Sequence, residues 1–217
     1  MGMQFYLEQI TPEQVAEFNE NPAAAYEYYG SGADDEAADA LEQMAAMGAR
    51  EDIPPEHKAR MEEARVKFQA LLAAFGRPAR KGPVLVLPEP RKFSLQKDWH
   101  VLHYALNGTH EGGTGSLADA ILGGKVIPDH DHVMGYGPLR CLDARQVKAV
   151  AEALAEVDPQ SLLAKLDMKD AEAKKIYLAH TLDDLDDWSY LPDLFTDFRV
   201  FYADAAERGN GMLLSIT

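Results

Sequence analysis

The chain has 217 residues, of which 47% are hydrophobic and 26% charged, and its formal net charge is −15. That balance predicts a soluble globular protein able to bury a real core, and no apolar run approaches the ~20 residues that a membrane span needs. The acidity excludes general nucleic-acid binding, which requires a basic face, and the single cysteine, Cys141, excludes an internal disulfide framework and fits a reducing cytoplasm.

Taken in chain order, the first strand is expected over Met3–Ile10, where Met3, Phe5 and Leu7 alternate with Gln4, Tyr6 and Glu8. Thr11-Pro12-Glu13-Gln14 then reads as a helix start: Thr11 caps, Pro12 suits the first helical position and Gln14 completes a capping box. Asn21-Pro22 opens a second short helix, and Ser31–Asp35 a third that runs to about Gly48. Pro54–Phe75 is predicted as a long helix, with Met61, Ala64, Phe68, Leu71, Leu72 and Phe75 on one stripe and Gly76 as the stop. RPARKGPVLVLPEPRK follows, holding Arg77, Arg80, Lys81, Arg91 and Lys92 around the apolar Val84–Leu87. Its prolines make it an edge strand or an extended connector.

A helix is expected from Asp98 to Asn107, ended by Gly108, and after a glycine-rich loop Ser116 caps a short helix ending at Gly123-Gly124. Tyr136–Leu142 reads as a strand, Asp143 caps a helix through Glu156, and Asp158-Pro159 begins another that ends near Leu166. Leu194, Phe195, Phe198, Phe201, Tyr202 and Ala205 keep the helical rhythm up to Gly209, and Met212–Ile216 closes the chain as a strand. The predicted fold is α+β: a small, mainly antiparallel sheet that includes both terminal strands, covered by several helices. One domain is expected over residues 1–217, with a helical N-terminal region at about 12–76 and the proline-rich basic connector at 77–92.

Chemistry concentrates in QKDWHVLHYALNGT, residues 96–109. At about 100° per residue, Trp99, Leu106, Leu102, Ala105 and Val101 form one apolar arc, while His103, Asn107, His100 and Tyr104 fill the remaining polar arc. His100 and His103 thus share a face and could present two imidazoles to one ion, with His130 and His132 of PDHDHVM as further donors. The stretch has no HExxH pattern and the chain no CxxC pair, so no metal and no cofactor are expected. The plainer role for His103 is structural, one nitrogen on a backbone carbonyl and the other on a polar side chain, with His100 more exposed and more tolerant of change. Gly135-Tyr136-Gly137 precedes a strand, not the helix of a phosphate-binding loop, and Cys141 reads as a buried inert thiol.

With those residues in view, KDWHVLHYALNGT resembles the signature of the YfbM-like family of bacterial proteins, matching it at Lys97, Trp99, Leu102, His103, Leu106, Gly108 and Thr109. The opening MGM, the segment SLADAILGG and the ending FYADAAERGNGMLLSIT are similar to the family as well. The family usually carries an acidic residue where this chain has Gln96, and His100 is not a fixed feature of the motif. The resemblance therefore supports His103, and the departure at Gln96 weakens any carboxylate–histidine pairing. It implies an α+β fold in one domain and no established activity, substrate or cofactor.

Two functions from different classes follow. One is a non-catalytic binding or interaction protein whose acidic surface masks a basic partner, an immunity-type role being one version. Asp183, Asp184, Asp186 and Asp187 with Trp188 would supply the contact patch, unless Trp188 simply packs in the core. The other is a small-ligand binder or enzyme using a cleft around His103, with Trp99, His100, Tyr104, Asn107 and Tyr136 as ligand-binding residues. A cleft over His103 favours the second; a filled helix edge favours the first.

Overall fold

The computed structural model of the protein describes residues 2–30, 60, 62–63, 66–67, 92–128, 136–177 and 188–217. Two compact units divide the chain: Met1–Ala25 with Leu85–Thr217, and Tyr26–Val84. In the second unit residues 26–30 and the described positions between 60 and 67 are helical, and Lys67 pairs with Glu63 one turn away at 2.6 Å. The helix expected at Ser31–Gly48, most of Pro54–Phe75 and the connector around Val84–Leu87 lie outside the described residues.

The first unit is built on a five-stranded sheet of order β2-β1-β5-β4-β3, antiparallel at each pairing. Its strands are β1 (Phe5–Ile10), β2 (Lys92–Gln96), β3 (Lys125–Val126), β4 (Arg140–Leu142) and β5 (Gly211–Ile216). Both terminal strands, β1 and β5, belong to it, as the sequence predicts, and they lie side by side in its middle. The α+β class holds.

Successive side chains in a strand alternate between faces, so the register assigns each residue to a layer. Phe5 opposes Ile216, Leu7 opposes Leu214 and Gln9 opposes Met212. Leu214 in turn opposes Arg140, and Met212 opposes Leu142. That face carries the main core, packed with Trp99, Leu102, Val147, Val150, Phe195, Phe198 and Tyr202 from the helices. Gln9 is fully buried within it and satisfied. Its Nε2 donates to Asp204 Oδ2 at 2.9 Å, and its Oε1 accepts from Asn210 Nδ2 at 3.0 Å.

The helices are α1 (Pro12–Glu20), α2 (Trp99–Asn107), α3 (Ser116–Leu122), α4 (Ala144–Ala155), α5 (Ser161–Ala164), α6 (Met168–Ala173) and α7 (Leu191–Glu207); residues 22–30 are also helical. Capping boxes start α1 and α4. Thr11 Oγ1 accepts from Gln14 N–H at 3.2 Å while Gln14 Oε1 accepts from Thr11 N–H at 2.9 Å, and Asp143 and Gln146 repeat the exchange at 2.9 Å each way. α4 packs on α7, α3 on α4 and α2 on α3. The Tyr202 hydroxyl locks α7 to α3 by donating to the Ala120 carbonyl at 2.7 Å. α1 leans on the opposite face of the sheet, where a Cβ on Gly211 would collide with Val15 Cγ2.

Several local expectations need correction. Ser116 is the first residue of α3, not its cap, a position taken by Gly115. The strand expected over Tyr136–Leu142 shortens to Arg140–Leu142, because Gly137-Pro138 turns the chain and proline has no N–H for the ladder. β2 falls where the sequence placed the end of a connector. β3 is only two residues long, and α6 separates from the helix expected to end near Leu166.

Candidate functional site

α2 carries the motif, and its position follows from how β2 ends. Gln96 adopts a left-handed backbone, φ 50°, and Asp98 N–H bonds Leu95 O at 3.0 Å, turning the chain directly into the helix. Asp98 makes no cap bond; its carboxylate instead accepts from the Tyr190 hydroxyl at 2.8 Å. Burial raises the Asp98 pKa, partly offset by that bond, and raises the Tyr190 phenol well above its ordinary value. Gly108 closes the helix, its N–H on Tyr104 O at 2.7 Å.

The apolar arc lies where the wheel places it. Trp99, Val101, Leu102, Ala105 and Leu106 are buried, and the Trp99 ring stacks on Phe5 of β1 at 6.4 Å and on His100 at 4.6 Å, nearly parallel. On the polar arc His103 and Tyr104 are buried and His100 and Asn107 half-buried, and His103 takes the structural role the sequence predicts. His103 is 0% exposed. Its Nε2 lies 2.7 Å from Glu111 O, which can only accept, so Nε2 carries the proton. Nδ1 then faces Asn107 Nδ2 at 3.4 Å as acceptor, and Asn107 also donates to His103 O at 3.1 Å.

His100 is expected to be the freer of the two, yet both its nitrogens are engaged. Nδ1 accepts the Tyr177 N–H at 2.9 Å, and Nε2 must donate to His110 O at 2.8 Å. The two rings therefore hold one loop, 110–111, against α2, and His100 adds the segment at Tyr177. Burial lowers both pKa values and outweighs the carbonyl acceptors, which raise them. Burial thus favours the neutral form of both rings, and the carbonyl partner of each Nε2 selects the Nε2–H tautomer.

Tyr104 is buried, and its hydroxyl donates to Asp170 Oδ2 at 2.6 Å. Lys174 Nζ meets the same oxygen at 2.5 Å, bonds Gly108 O at 3.0 Å and sits 5.3 Å from the Tyr104 ring centre. Burial and the neighbouring carboxylate push the Tyr104 phenol up to about 12, and Lys174 holds the Asp170 carboxyl down. Asp170, Lys174 and Tyr177 escape the sequence reading. Only the Asp170–Lys174 spacing of one helical turn is a local signal; their link to Tyr104 and Gly108 spans 66 residues.

Of the other expected site residues, Tyr136 stands apart from α2, on a groove at the corner of the sheet with Phe5, Leu122 and Arg140. Trp188 is 0% exposed and packs in the core beside Tyr190, ring centres 6.0 Å apart, so it presents no anchor to a partner. Asp183, Asp184, Asp186, Asp187, His130 and His132 lie outside the described residues. Cys141 is buried and its thiol is pushed up to about 11, chiefly by desolvation. Among the described residues no three His, Cys, Asp or Glu side chains are placed to share a metal ion, and no helix is long and apolar enough to cross a membrane.

A five-stranded antiparallel sheet with both terminal strands at its centre and helices packed over its main face defines an α+β protein. The chain belongs to the family described as Domain of unknown function (DUF1877), whose profile matches residues 1–215. Its fold is similar to that of a protein of unknown function, YfbM from Escherichia coli, with 16% sequence identity, a TM-score of 0.54 and 99% of each chain covered. That likeness concerns architecture alone. No curated protein matches the chain.

Proposed function

We propose that the protein is a non-catalytic binding module whose acidic surface engages a basic protein partner. The observation that carries this is the filled edge of α2: each ring nitrogen of His100 and His103 already faces a partner within the chain, so the motif serves as a clamp. General acid–base work at His103 would need a nitrogen within reach of substrate, and burial of that ring opposes it. The surface supports the same reading. On α7, the longest described helix, Asp193, Asp197, Val200 and Glu207 lie on one exposed face, and Val200 is 61% exposed amid the carboxylates. With a net charge of −15, such a face steers a basic surface toward it. Masking a basic toxin or nuclease, an immunity-type role, is the narrower form of this proposal.

The test is to capture partners from the source cell, identify them by mass spectrometry and measure affinity with the purified partner. A basic partner is expected, with affinity that falls as salt rises and drops about tenfold in the triple variant Asp193→Asn, Asp197→Asn, Glu207→Gln. A partner of acidic surface, or binding indifferent to salt and to the three substitutions, overturns the proposal.

A further inference from the structure

We propose that the groove at the corner of the sheet binds a small apolar monocarboxylate, with Arg140 pairing its carboxylate and Tyr136 adding a hydrogen bond. This goes beyond the acidic-surface reading and involves a different part of the first unit. The register sets the floor: Phe5 opposes Ile216, and Leu214 opposes Arg140, so these side chains emerge on the helix-covered face. Ile121 and Leu122 at the end of α3 form one wall, and the turn Tyr136-Gly137-Pro138 the other. The cavity is about 160 Å³. An apolar cavity of about 150 Å³ accepts a benzene ring, so the space suits one ring or a branched aliphatic group.

The charge is what selects the occupant. Arg140 is half-buried at this apolar site, and among the described residues its guanidinium meets no carboxylate and makes no hydrogen bond. A guanidinium with an open fork matches a carboxylate in geometry and charge. Tyr136 is 62% exposed; its backbone N–H is tied to Ile216 O at 2.9 Å, which holds the residue at the rim, and its hydroxyl makes no bond within the described residues. One guanidinium and one hydroxyl serve a single carboxylate. A phosphate or dicarboxylate would need more donors and, carrying more charge, would be repelled more strongly by the acidic chain than a single carboxylate.

The experiment is an amide-resonance titration of the full chain with benzoate and phenylacetate, alongside benzamide, benzylamine and a short peptide ending in Phe. Both acids are expected to bind saturably and shift the resonances of Leu122, Tyr136, Arg140 and Ile216. Arg140→Gln should weaken binding about tenfold or more and Tyr136→Phe a few-fold, while Arg140→Lys retains part of it. Benzamide and benzylamine should show no saturable shift. If Arg140→Gln fails to fold, the comparison of benzoate with benzamide on the unaltered chain decides. Equal binding of benzamide, unchanged affinity in a folded Arg140→Gln, shifts confined to another surface, or binding of the peptide alone would each overturn the proposal.

Discussion

Replacing His103 with alanine removes the ring that joins α2 to its following loop, and its cost can be worked from the contacts. The ring is wholly buried, so truncation leaves a cavity that its neighbours fill only in part. For a void of roughly 60 Å³, at about 24 cal/mol per Å³, that is about 1.5 kcal/mol. Losing the bond to Glu111 O at 2.7 Å adds about 0.5–1.5 kcal/mol. The longer contact with Asn107 adds little, since Asn107 keeps its bond to His103 O. The total, about 2–3 kcal/mol, should appear in urea unfolding as a lower midpoint at unchanged slope. His100→Ala loses two bonds to backbone groups but leaves a smaller void at a half-buried site, so about 1–2 kcal/mol is expected. A His103→Ala chain as stable as the parent would refute the clamp.

Other consequences follow from the same geometry. Both histidines have folded pKa values below 6.5, so the unfolded chain takes up more protons; their contribution is intact above pH 6.5 and is lost as pH falls through the folded values. Urea midpoints measured from pH 8 to 5 should decline below 6.5, less steeply in the His100→Ala, His103→Ala double variant; identical slopes would count against this. Trp99→Ala should cost about 3–5 kcal/mol by thermal or urea unfolding, as for other buried aromatics. Gln96→Gly should raise stability by about 1 kcal/mol, because an exposed residue held at φ 50° is relieved of left-handed strain. Cys141 should resist a thiol reagent in the folded chain at pH 8 and react once urea unfolds it.

The elements that local chemistry specifies were legible in advance. Thr11 with Gln14, and Asp143 alone, announced two helix starts, the aromatic stripe from Phe195 to Tyr202 announced α7, and Gly108 announced the end of α2. Strands whose existence depends on a neighbour were not. β3 has two residues, too few to show a period, and β2 is recruited by pairing with β1 across 80 or more positions of sequence. The wheel drew the polar arc of α2 correctly but could not show what covers it. The carbonyls of His110 and Glu111 and the amide of Tyr177 belong to backbone, and backbone leaves no mark in a residue pattern. Trp188 illustrates the same limit from the other side: beside a run of aspartates it reads equally as a surface anchor or a core residue, and long-range packing buries it.

The central claim is that the motif histidines are committed to holding the chain together, and their tautomers test it most directly. Long-range nitrogen–proton NMR correlations at pH 7 should show His100 and His103 neutral, protonated on Nε2 and bare on Nδ1, each titrating only below pH 6.5. A proton on Nδ1 of either ring, or free titration of His103 at or above 6.5, would contradict the account.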